Sequence, residues 1–229
     1  MSNPKYLLFP GCVIPYRLSS YEISARKVLA KLDVEIVEMP EYNCCGYPMD
    51  VINHDLMLTL AARNLCIAEK VGLPIMALCN GCFCSLNETN KILKENRKLR
   101  EKINGYLKEV GMEFKGTTDV KHLIYVLSED MGFEKIKNAV TRPLTGLRVA
   151  QHSGCHVLRP RKYVGRDDPE NPTTLKELIK LTGAECLDYM NETECCGNPI
   201  IGVNEDVPFS MAREKLSNVR NVGAHALIT

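Results

Sequence analysis

The chain has 229 residues, of which 45% are hydrophobic, so it is long enough to bury a sizeable core. Its formal net charge of +1 gives no general attraction to nucleic acid, and no apolar run approaches the ~20 residues that a membrane-spanning helix needs. Residues 1–10 lack the basic start and long apolar segment of a signal peptide, which predicts a cytoplasmic location.

Eleven cysteines stand out in this composition, and most of them fall in short motifs. Cytosolic thiols stay reduced, so clustered cysteines there bind metals or take part in catalysis more often than they form disulfides. The odd number of cysteines, and the strain of a bridge between neighbours such as Cys44 and Cys45, also speak against a disulfide framework. The motifs therefore indicate soft-metal sites and a redox function.

The first half of the chain is predicted to alternate strands with helices. In chain order we expect a strand at residues 5–9, a helix at 21–32, a strand at 34–37, a loop at 43–48, a helix at 54–71 and a strand at 74–78. Asn53 is the predicted N-cap of the longer helix. Cys12, Cys44-Cys45 and Cys79 each follow a strand, and the carboxyl ends of parallel strands share one edge of a sheet. We therefore expect these cysteines to converge.

A helical insertion is expected between the two halves. Residues 90–110 have the spacing of one amphipathic helix, whose apolar stripe is formed by Ile92, Leu93, Leu99, Ile103, Tyr106 and Leu107. Residues 91–102 include six basic and two acidic side chains. We interpret this segment as a solvated helix face, with a docking face for a partner protein or an anionic substrate as the alternative.

The second half of the chain repeats the plan of the first. Cys195-Cys196-Gly197 lies 151 residues after Cys44-Cys45-Gly46, and Val222-Gly223 lies the same distance after Val71-Gly72. The predicted elements are a strand at 147–151 before Gly154-Cys155, a helix at 174–181, a strand at 184–187, the loop with Cys195 and Cys196, a helix at 207–222 and a strand at 226–229.

This repeat predicts a fold of two cysteine-rich α/β lobes with Rossmann-like or flavodoxin-like architecture. The first lobe, with its helical insertion, is expected over residues 1–142 and the second over residues 143–229. A counterpart of Cys79 in the second lobe would fall at position 230. We therefore expect the chain to be truncated just before the second Cys-x-x-Cys.

The first lobe carries more thiols than a single zinc ion would need. Its candidate ligands are Cys12, Cys44, Cys45, Cys79 and Cys82. Five thiolates are one more than tetrahedral zinc or a simple cubane cluster uses. Thiolate-only ligation selects iron-sulfur or zinc centres, and the excess of ligands favours a cluster. A closed four-cysteine zinc site that uses Cys79 and Cys82 is the alternative.

The order and surroundings of these cysteines resemble a known family. The motifs that carry the resemblance are Phe9-Pro10-Gly11-Cys12, Asn43-Cys44-Cys45-Gly46, Cys79-Asn80-Gly81-Cys82-Phe83 and His152-Ser153-Gly154-Cys155-His156. They resemble the cysteine-rich CCG domain family, and two such domains in one chain resemble the B subunits of heterodisulfide reductases. The resemblance covers nearly the whole chain.

The resemblance implies a cofactor and an activity. On the five cysteines of the first lobe it implies a noncubane 4Fe-4S cluster. It implies a second cluster on Cys155, Cys195 and Cys196, together with a Cys-x-x-Cys that is expected after Thr229 in the full-length protein. The implied activity is reduction of the coenzyme M–coenzyme B heterodisulfide to two thiols in methanogenic energy metabolism, with the substrate bound between the clusters.

His156 is a candidate for proton transfer in such a reaction. It follows Cys155 directly, and histidine titrates near neutral pH, so we nominate it as a catalytic proton donor. A hydrogen bond from His156 to cluster sulfur or to the backbone is the alternative role.

The electrons for such a reaction have to come from a partner, because the chain contains neither G-x-G-x-x-G nor a P-loop motif. The family resemblance implies a ferredoxin-like iron-sulfur subunit and a flavin-containing subunit, in an assembly with a hydrogenase or formate dehydrogenase module. Two other functions stay open. One is a CCG-domain iron-sulfur subunit of a lactate-, glycolate- or fumarate-linked oxidoreductase, and the other is a structural zinc-binding interaction protein.

The remaining candidates have simpler interpretations. Cys66 and Cys186 lie within apolar patterns and are predicted core residues. Cys84 is either a packed residue or an alternative ligand. A basic group follows the second Gly-Cys motif, and we interpret it as surface, with binding of a substrate carboxylate or phosphate as the alternative. Its members are Arg159, Arg161 and Lys162.

Overall fold

Two parallel β-sheets form the centre of the protein. A computed structural model describes residues 3–229 of the chain. The strands are β1 (Lys5–Phe9), β2 (Glu35–Val37), β3 (Ile75–Ala77), β4 (Val120–His122), β5 (Arg148–Gln151), β6 (Glu185–Cys186) and β7 (Ala226–Ile228). Their order is β2-β1-β3-β4 in the first sheet and β6-β5-β7 in the second. Every neighbouring pair is parallel, so the predicted α/β fold class is confirmed.

Helices connect the strands in both lobes. They are α1 (Ile14–Arg17), α2 (Ser19–Lys31), α3 (His54–Val71), α4 (Asn80–Glu95), α5 (Arg97–Lys108), α6 (Leu123–Tyr125), α7 (Phe133–Ala139), α8 (Cys155–Leu158), α9 (Arg161–Val164), α10 (Thr174–Leu181) and α11 (Asp206–Asn221). Short 3-10 helices follow both vicinal cysteine pairs, at Tyr47–Met49 and Asn198–Ile200. The predicted N-cap of α3 is confirmed, because the Asn53 side chain accepts a hydrogen bond from the Leu56 backbone N–H at 3.0 Å.

The first sheet is covered on both faces. Successive side chains of a strand point to opposite faces, and β1 is apolar on both. Leu7 and Phe9 pack into the larger core with α3 and α4, whereas Tyr6 and Leu8 pack into a second core with α2. In register, Leu7 lies beside Val37 of β2 and Ile75 of β3. This packing fixes the strand ends that carry the first cysteine motifs.

The second lobe has smaller hydrophobic clusters of its own. One cluster consists of Val149, Ile179 and Ala184, and the other consists of Ala150, Tyr189 and Val219. Three further apolar residues of this lobe, Val157, Leu158 and Val164 on α8 and α9, are buried in the larger core of the first lobe. The second lobe is therefore docked on the first by hydrophobic packing.

The insertion differs from its prediction in two respects. The prediction of one helix over residues 90–110 is wrong, because the segment contains the end of α4 and the whole of α5, which are separated by Asn96. The Asn96 side chain accepts from the Leu99 backbone N–H at 3.1 Å and caps α5. An asparagine side chain competes for backbone hydrogen bonds, so it ends a helix even where the apolar spacing continues.

The second difference is that the insertion is not wholly helical. It supplies β4, which pairs with β3 and adds a fourth strand to the first sheet. The strand is only three residues long and has Lys121 at its centre. Its sequence therefore lacks the run of apolar residues from which a buried strand is predicted. The predicted boundary between residues 142 and 143 stays a prediction.

The basic segment at residues 91–102 lies on the surface of α4 and α5. Four of its six basic side chains form ion pairs: Lys91 with Glu95, Lys94 with Asp119, Arg97 with Glu101, and Lys102 with Asp55. This pairing agrees with a solvated helix face. Within residues 3–229, no helix combines the length and apolar character needed to cross a bilayer.

Candidate metal centre

The cysteines of the first lobe meet at the carboxyl edge of the first sheet. Cys12 follows β1, the Cys44-Cys45 loop follows β2, and Cys79 follows β3. Cys82 lies in the first turn of α4. Cys45 and Cys82 are 4% and 5% exposed, whereas Cys12 and Cys44 are exposed and Cys79 is half-buried. The site thus has a buried side and an open side.

Four of these thiols are linked by direct contacts. The Cys82 thiol contacts the thiols of Cys45 and Cys79, and sharing its one proton with them raises the pKa of Cys82. The contact with Cys82 lowers the pKa of Cys45 and that of Cys79, the latter to about 6. Cys44 contacts Cys45 and interacts electrostatically with Cys12, although burial is the main cause that raises the Cys44 pKa. The five predicted ligands are therefore neighbours in the fold.

Glycine is required beside the thiols for steric reasons. Gly11 has φ +79°, and a Cβ there would lie 3.0 Å from Cys82 Sγ. Gly46 has φ +84°, and its Cβ would lie 2.7 Å from the Met57 backbone oxygen. The equivalent Gly197 would clash in the same way with Pro208, at 2.6 Å. In both lobes the third residue of Cys-Cys-Gly lets the loop approach the following helix closely.

Buried polar residues outside the cysteine motifs hold the first vicinal loop. Asn64 of α3 is fully buried, accepts from the Asn43 N–H at 3.0 Å, and donates to the Asn43 and Cys44 carbonyls at 3.3 and 3.2 Å. Ser85 Oγ donates to the Cys45 carbonyl at 2.7 Å. A polar residue at a buried position of an apolar helix pattern was the signal that could have identified Asn64.

The three cysteines of the second lobe also converge. Cys155 begins α8 after β5, and Cys195 and Cys196 lie in the loop after β6. The Cys155 thiol contacts Cys195 and interacts electrostatically with Cys196, while burial is the largest cause of its raised pKa. The Gly197 N–H donates to Cys195 Sγ at 3.3 Å, as the Gly46 N–H does to Cys44 Sγ at 3.4 Å. The vicinal loop has the same local geometry in both lobes.

The motifs of the two lobes touch each other. Tyr47 Oη and His156 Nε2 are 2.5 Å apart, and each residue directly follows a cysteine motif of its own lobe. Asn80 Nδ2, next to Cys79, donates to the Ser153 carbonyl at 3.2 Å. His156 Nδ1 is buried and has no hydrogen-bond partner within the described part of the chain, and burial lowers the His156 pKa.

The other candidate residues have structural roles. Cys66 is buried in α3, and its pKa is raised to about 12 by burial. Cys84 is buried where the lobes meet and donates to the Arg159 carbonyl at 3.7 Å; burial raises its pKa also to about 12. Cys186 packs against the small apolar cluster beside β5. These contacts favour packing over ligation for all three.

Two of the basic residues that follow Cys155 form contacts with nearby residues of the second lobe. Arg159 donates to the Pro169 carbonyl at 3.0 Å and pairs with Glu170 at 2.8 Å. The Lys162 ammonium lies 5.2 Å from the centre of the Tyr163 ring. A role for these cations in substrate binding stays a prediction.

The donor set of the first lobe fits an iron-sulfur group. Its five side chains are all soft thiols, and Gly11 leaves free the space that a Cβ would fill beside Cys82. Among residues 3–229, no three histidine, cysteine or carboxylate side chains are arranged to hold a single metal ion together. The soft donors and the open edge are suited to a group with several metal atoms.

Comparisons with known proteins agree with this description. The family model of the CCG cysteine-rich domain matches twice, over residues 6–87 and 149–229. The B subunit of the ferredoxin/F420H2-dependent CoB-CoM heterodisulfide reductase of Methanosarcina acetivorans is 36% identical over 98% of this chain and 76% of its own length. The 8-methylmenaquinol:fumarate reductase membrane anchor subunit of Wolinella succinogenes is 29% identical over 98% of this chain and 78% of its own length.

A solved structure has the same fold. The crystal structure of a hypothetical protein from Helicobacter pylori superposes on 99% of this chain with a TM-score of 0.70 and 16% sequence identity. This chain spans 43% of the length of that chain. At this level of identity the likeness concerns the fold alone.

Proposed function

Because the chain belongs to the CCG cysteine-rich domain family and, within it, to the B subunits of heterodisulfide reductases, we propose that it is the iron-sulfur subunit that reduces a heterodisulfide to two thiols. The relatives named as B subunits support the substrate class, which is the mixed disulfide of coenzyme M and coenzyme B. One structural observation carries the proposal. Each lobe gathers its own set of thiols, and Tyr47 and His156, which directly follow cysteine motifs of the two sets, are in contact across the interface between the lobes.

The proposed cofactor is a noncubane 4Fe-4S cluster on the five cysteines of the first lobe. Its support is the number of thiols and their mutual contacts. For Cys155, Cys195 and Cys196 we propose ligation of a second cluster, together with ligands outside the 229 residues. When bound, an iron-sulfur group supplies single electrons and a soft metal with affinity for sulfur, which is the chemistry that disulfide cleavage needs.

His156 is the proposed proton donor. Cleavage of a disulfide to two thiols consumes two electrons and two protons, so a proton has to reach each sulfur. When Tyr47 Oη donates to His156 Nε2, the neutral imidazole carries its proton on Nδ1. Nδ1 is the buried ring atom without a partner, and its residue is adjacent to Cys155 in sequence. Tyr47 would therefore fix the ring and its tautomer, and when Nδ1 gives its proton to sulfur, Nε2 would take the Tyr47 hydroxyl proton so that the imidazole stays neutral.

Electrons are proposed to come from partner subunits. Candidates are a ferredoxin-like iron-sulfur subunit and a flavin-containing subunit, linked to a hydrogenase or formate dehydrogenase module. The names of the Methanosarcina relatives, which include ferredoxin as a reactant, support this class of donor. A cytoplasmic location stays a prediction.

A second candidate function is favoured by one specific relative. The Wolinella protein acts in a quinol:fumarate reductase and matches this chain over nearly its whole length. In that case the same thiol site would pass electrons between a quinol-linked partner and a fumarate-reducing partner. The identity of the Wolinella protein to this chain is lower than that of the Methanosarcina protein, 29% against 36%.

Anaerobic purification of the protein with its native partners tests the proposal. We expect iron and acid-labile sulfide in similar amounts, and oxidation of a reduced dye that depends on the heterodisulfide. Turnover with fumarate and not with the heterodisulfide would support the second candidate instead. Zinc at stoichiometric amounts without sulfide would exclude both.

The substitution Cys45→Ser tests the ligand assignment. We expect loss of the first-site iron signal and a fall in turnover beyond the ~10–100-fold that loss of an outer-shell partner of a metal site costs, because serine oxygen is a poor ligand for iron that prefers thiolate. Cys186→Ser is the matched control, since Cys186 packs beside β5 and lies outside the thiol set. Unchanged electron paramagnetic resonance spectra and turnover in Cys45→Ser would contradict the assignment.

A further inference from the structure

A buried serine lies behind the vicinal cysteine loop of the first lobe. Ser85 is on α4, three residues after Cys82, and it is 2% exposed. Its hydroxyl donates to the Cys45 carbonyl at 2.7 Å. This hydrogen bond joins the helix that carries one cysteine motif to the loop that carries another.

The Cys45 carbonyl belongs to a peptide group that contacts a thiol at its other end. Cys45 and Gly46 share this peptide, and the Gly46 N–H donates to Cys44 Sγ at 3.4 Å. A Cβ at Gly46 would lie 2.7 Å from the Met57 backbone oxygen, so α3 also limits the movement of the peptide. One planar group therefore connects the Ser85 hydroxyl to the sulfur of a proposed ligand.

The two preceding carbonyls of the loop are also bonded to a buried side chain. Asn64 Nδ2 donates to the Asn43 and Cys44 carbonyls at 3.3 and 3.2 Å. Three consecutive carbonyls are thus bonded to side chains of α3 and α4. The third of these peptides is the one whose N–H contacts a thiol, so Ser85 acts on that contact more directly than Asn64 does.

Hydrogen bonds that share a peptide group strengthen one another. A donor on the carbonyl oxygen polarises the peptide, so that the N–H at the other end becomes a better donor. Hydrogen bonds to the sulfur ligands of an iron-sulfur site are among the factors that set its reduction potential, because they stabilise the additional negative charge of the reduced form. Ser85 and Cys45 are 2% and 4% exposed, which limits competition from water.

From these contacts we propose that Ser85 is a positioning residue, which acts through this peptide on the sulfur of Cys44 and makes the first iron-sulfur site easier to reduce. The inference rests on the proposed iron-sulfur function of the first lobe, whose five thiols all lie within the chain. The electron concerned is the single electron that the first site takes up from a partner subunit. Ser85 itself neither gains nor loses a proton in this step.

The turn that brings the N–H to the sulfur is a local property of the Cys-Cys-Gly sequence. In the second lobe the Gly197 N–H contacts Cys195 Sγ at 3.3 Å in the same way. Ser85 lies on α4, outside this motif. We therefore expect Ser85 to strengthen the contact of the Gly46 N–H and not to create it, so the loop should keep its conformation when the hydroxyl is removed.

The test is a redox titration of the protein, purified anaerobically with its native partners and followed by electron paramagnetic resonance. The first-site signal is the one that disappears in Cys45→Ser. In Ser85→Ala the ratio of reduced to oxidised first site at a fixed potential should fall about fivefold, the equivalent of one ordinary hydrogen bond. A fivefold change corresponds to a midpoint potential about 40 mV lower for a one-electron step.

Two variants separate the hydroxyl from its surroundings. Ser85→Thr keeps the hydroxyl, so its first-site potential should stay close to that of the wild type. Thr89→Val removes another buried hydroxyl of α4, which bonds to Met57 Sδ at 3.6 Å and not to the cysteine loop, so the potential should not move. Hydrogen exchange of the Gly46 N–H should become faster in Ser85→Ala and stay unchanged in Thr89→Val.

The outcomes distinguish this inference from the proposed function. Iron-sulfur signals in the wild type with an unshifted first site in Ser85→Ala would overturn the role of Ser85 alone. An equal fall in Ser85→Ala and Ser85→Thr would also overturn it, because the hydroxyl would then not be the cause. If Ser85→Ala loses its iron, recovery of the iron in Ser85→Thr supports the inference, and loss in both variants contradicts it. Absence of iron and sulfide from the wild type would overturn the proposed function together with it.

Discussion

The two lobes share a loop geometry but differ in the hydrophobic support behind it. Helix α3 buries nine side chains, whereas the equivalent α11 buries three, one of which is Lys215. The first sheet is enclosed by two large cores, and the second is flanked by two small clusters. Part of the apolar surface of α8 and α9 is instead buried in the first lobe. A duplicated unit can thus retain its site while one copy depends on the other for stability.

Equivalent core truncations should show the largest difference between the lobes. Leu29 of α2 and Ile179 of α10 each lie six residues before the following strand. Leu29→Ala should cost about 3 kcal/mol of unfolding free energy, because the side chain is fully buried in a large core. Ile179→Ala should cost only about 2 kcal/mol of unfolding free energy, since its smaller cluster can collapse around the loss.

Urea unfolding of both variants, followed by circular dichroism, measures these costs. Hydrogen exchange then assigns each loss to a lobe, and we expect Ile179→Ala to affect mainly residues 143–229. Equal losses of unfolding free energy in the two variants would contradict the proposed difference between the lobes, because they would mean that the second lobe is packed as firmly as the first.

The fourth strand of the first sheet should make the stability of that lobe depend on pH. His122 of β4 is buried, bonds to the Leu78 carbonyl through Nε2 at 3.1 Å, and has its pKa lowered by burial from 6.5 to about 4. Between these values the unfolded chain binds more protons than the folded one. The contribution of neutral, buried His122 to the free energy of unfolding is therefore fully present above pH 6.5. It is lost as the pH falls toward 4, and about 2 kcal/mol of it is lost at pH 5.

Urea unfolding at about pH 7.5 and about pH 5 measures this effect. His122→Gln should remove most of the difference between the two pH values, because glutamine does not titrate. His54→Gln is the control, since His54 is exposed and paired with Asp50 on the surface. A wild-type protein equally stable at both pH values would show that β4 unfolds independently of the rest of the sheet.

The asparagines that precede α3 and α11 should give the smallest effect and no difference between the lobes. The N-cap Asn53 accepts from the Leu56 N–H at 3.0 Å, and Asn204, 151 residues later and one residue before the N-cap position of α11, accepts from the Asp206 N–H at 2.9 Å. Asn53→Ala and Asn204→Ala should each cost about 1 kcal/mol, because each leaves a helix N–H group without its side-chain partner. Thermal unfolding measures both. A clearly larger cost at either position would mean that the cap also supports the neighbouring cysteine loop.

Much of the fold follows from local patterns in the sequence. The bounds of α3 and of β1 agree with the predicted ones, because each is set by an uninterrupted apolar pattern between polar or turn-forming residues. The insertion was predicted less well. The break at Asn96 depends on one side chain that caps a new helix, and β4 forms only because β3 offers an open edge to pair with.

For the site, the sequence by itself determined which thiols are available and that they occur in two related sets, because spacing and repetition are properties of the chain. Only the tertiary structure decided how the sets face each other and what surrounds them. The contact between Tyr47 and His156 joins residues 109 positions apart, and the Asn80 side chain reaches the Ser153 carbonyl across the same interface. Such contacts depend on how the two lobes pack, and no local pattern in the sequence encodes that packing.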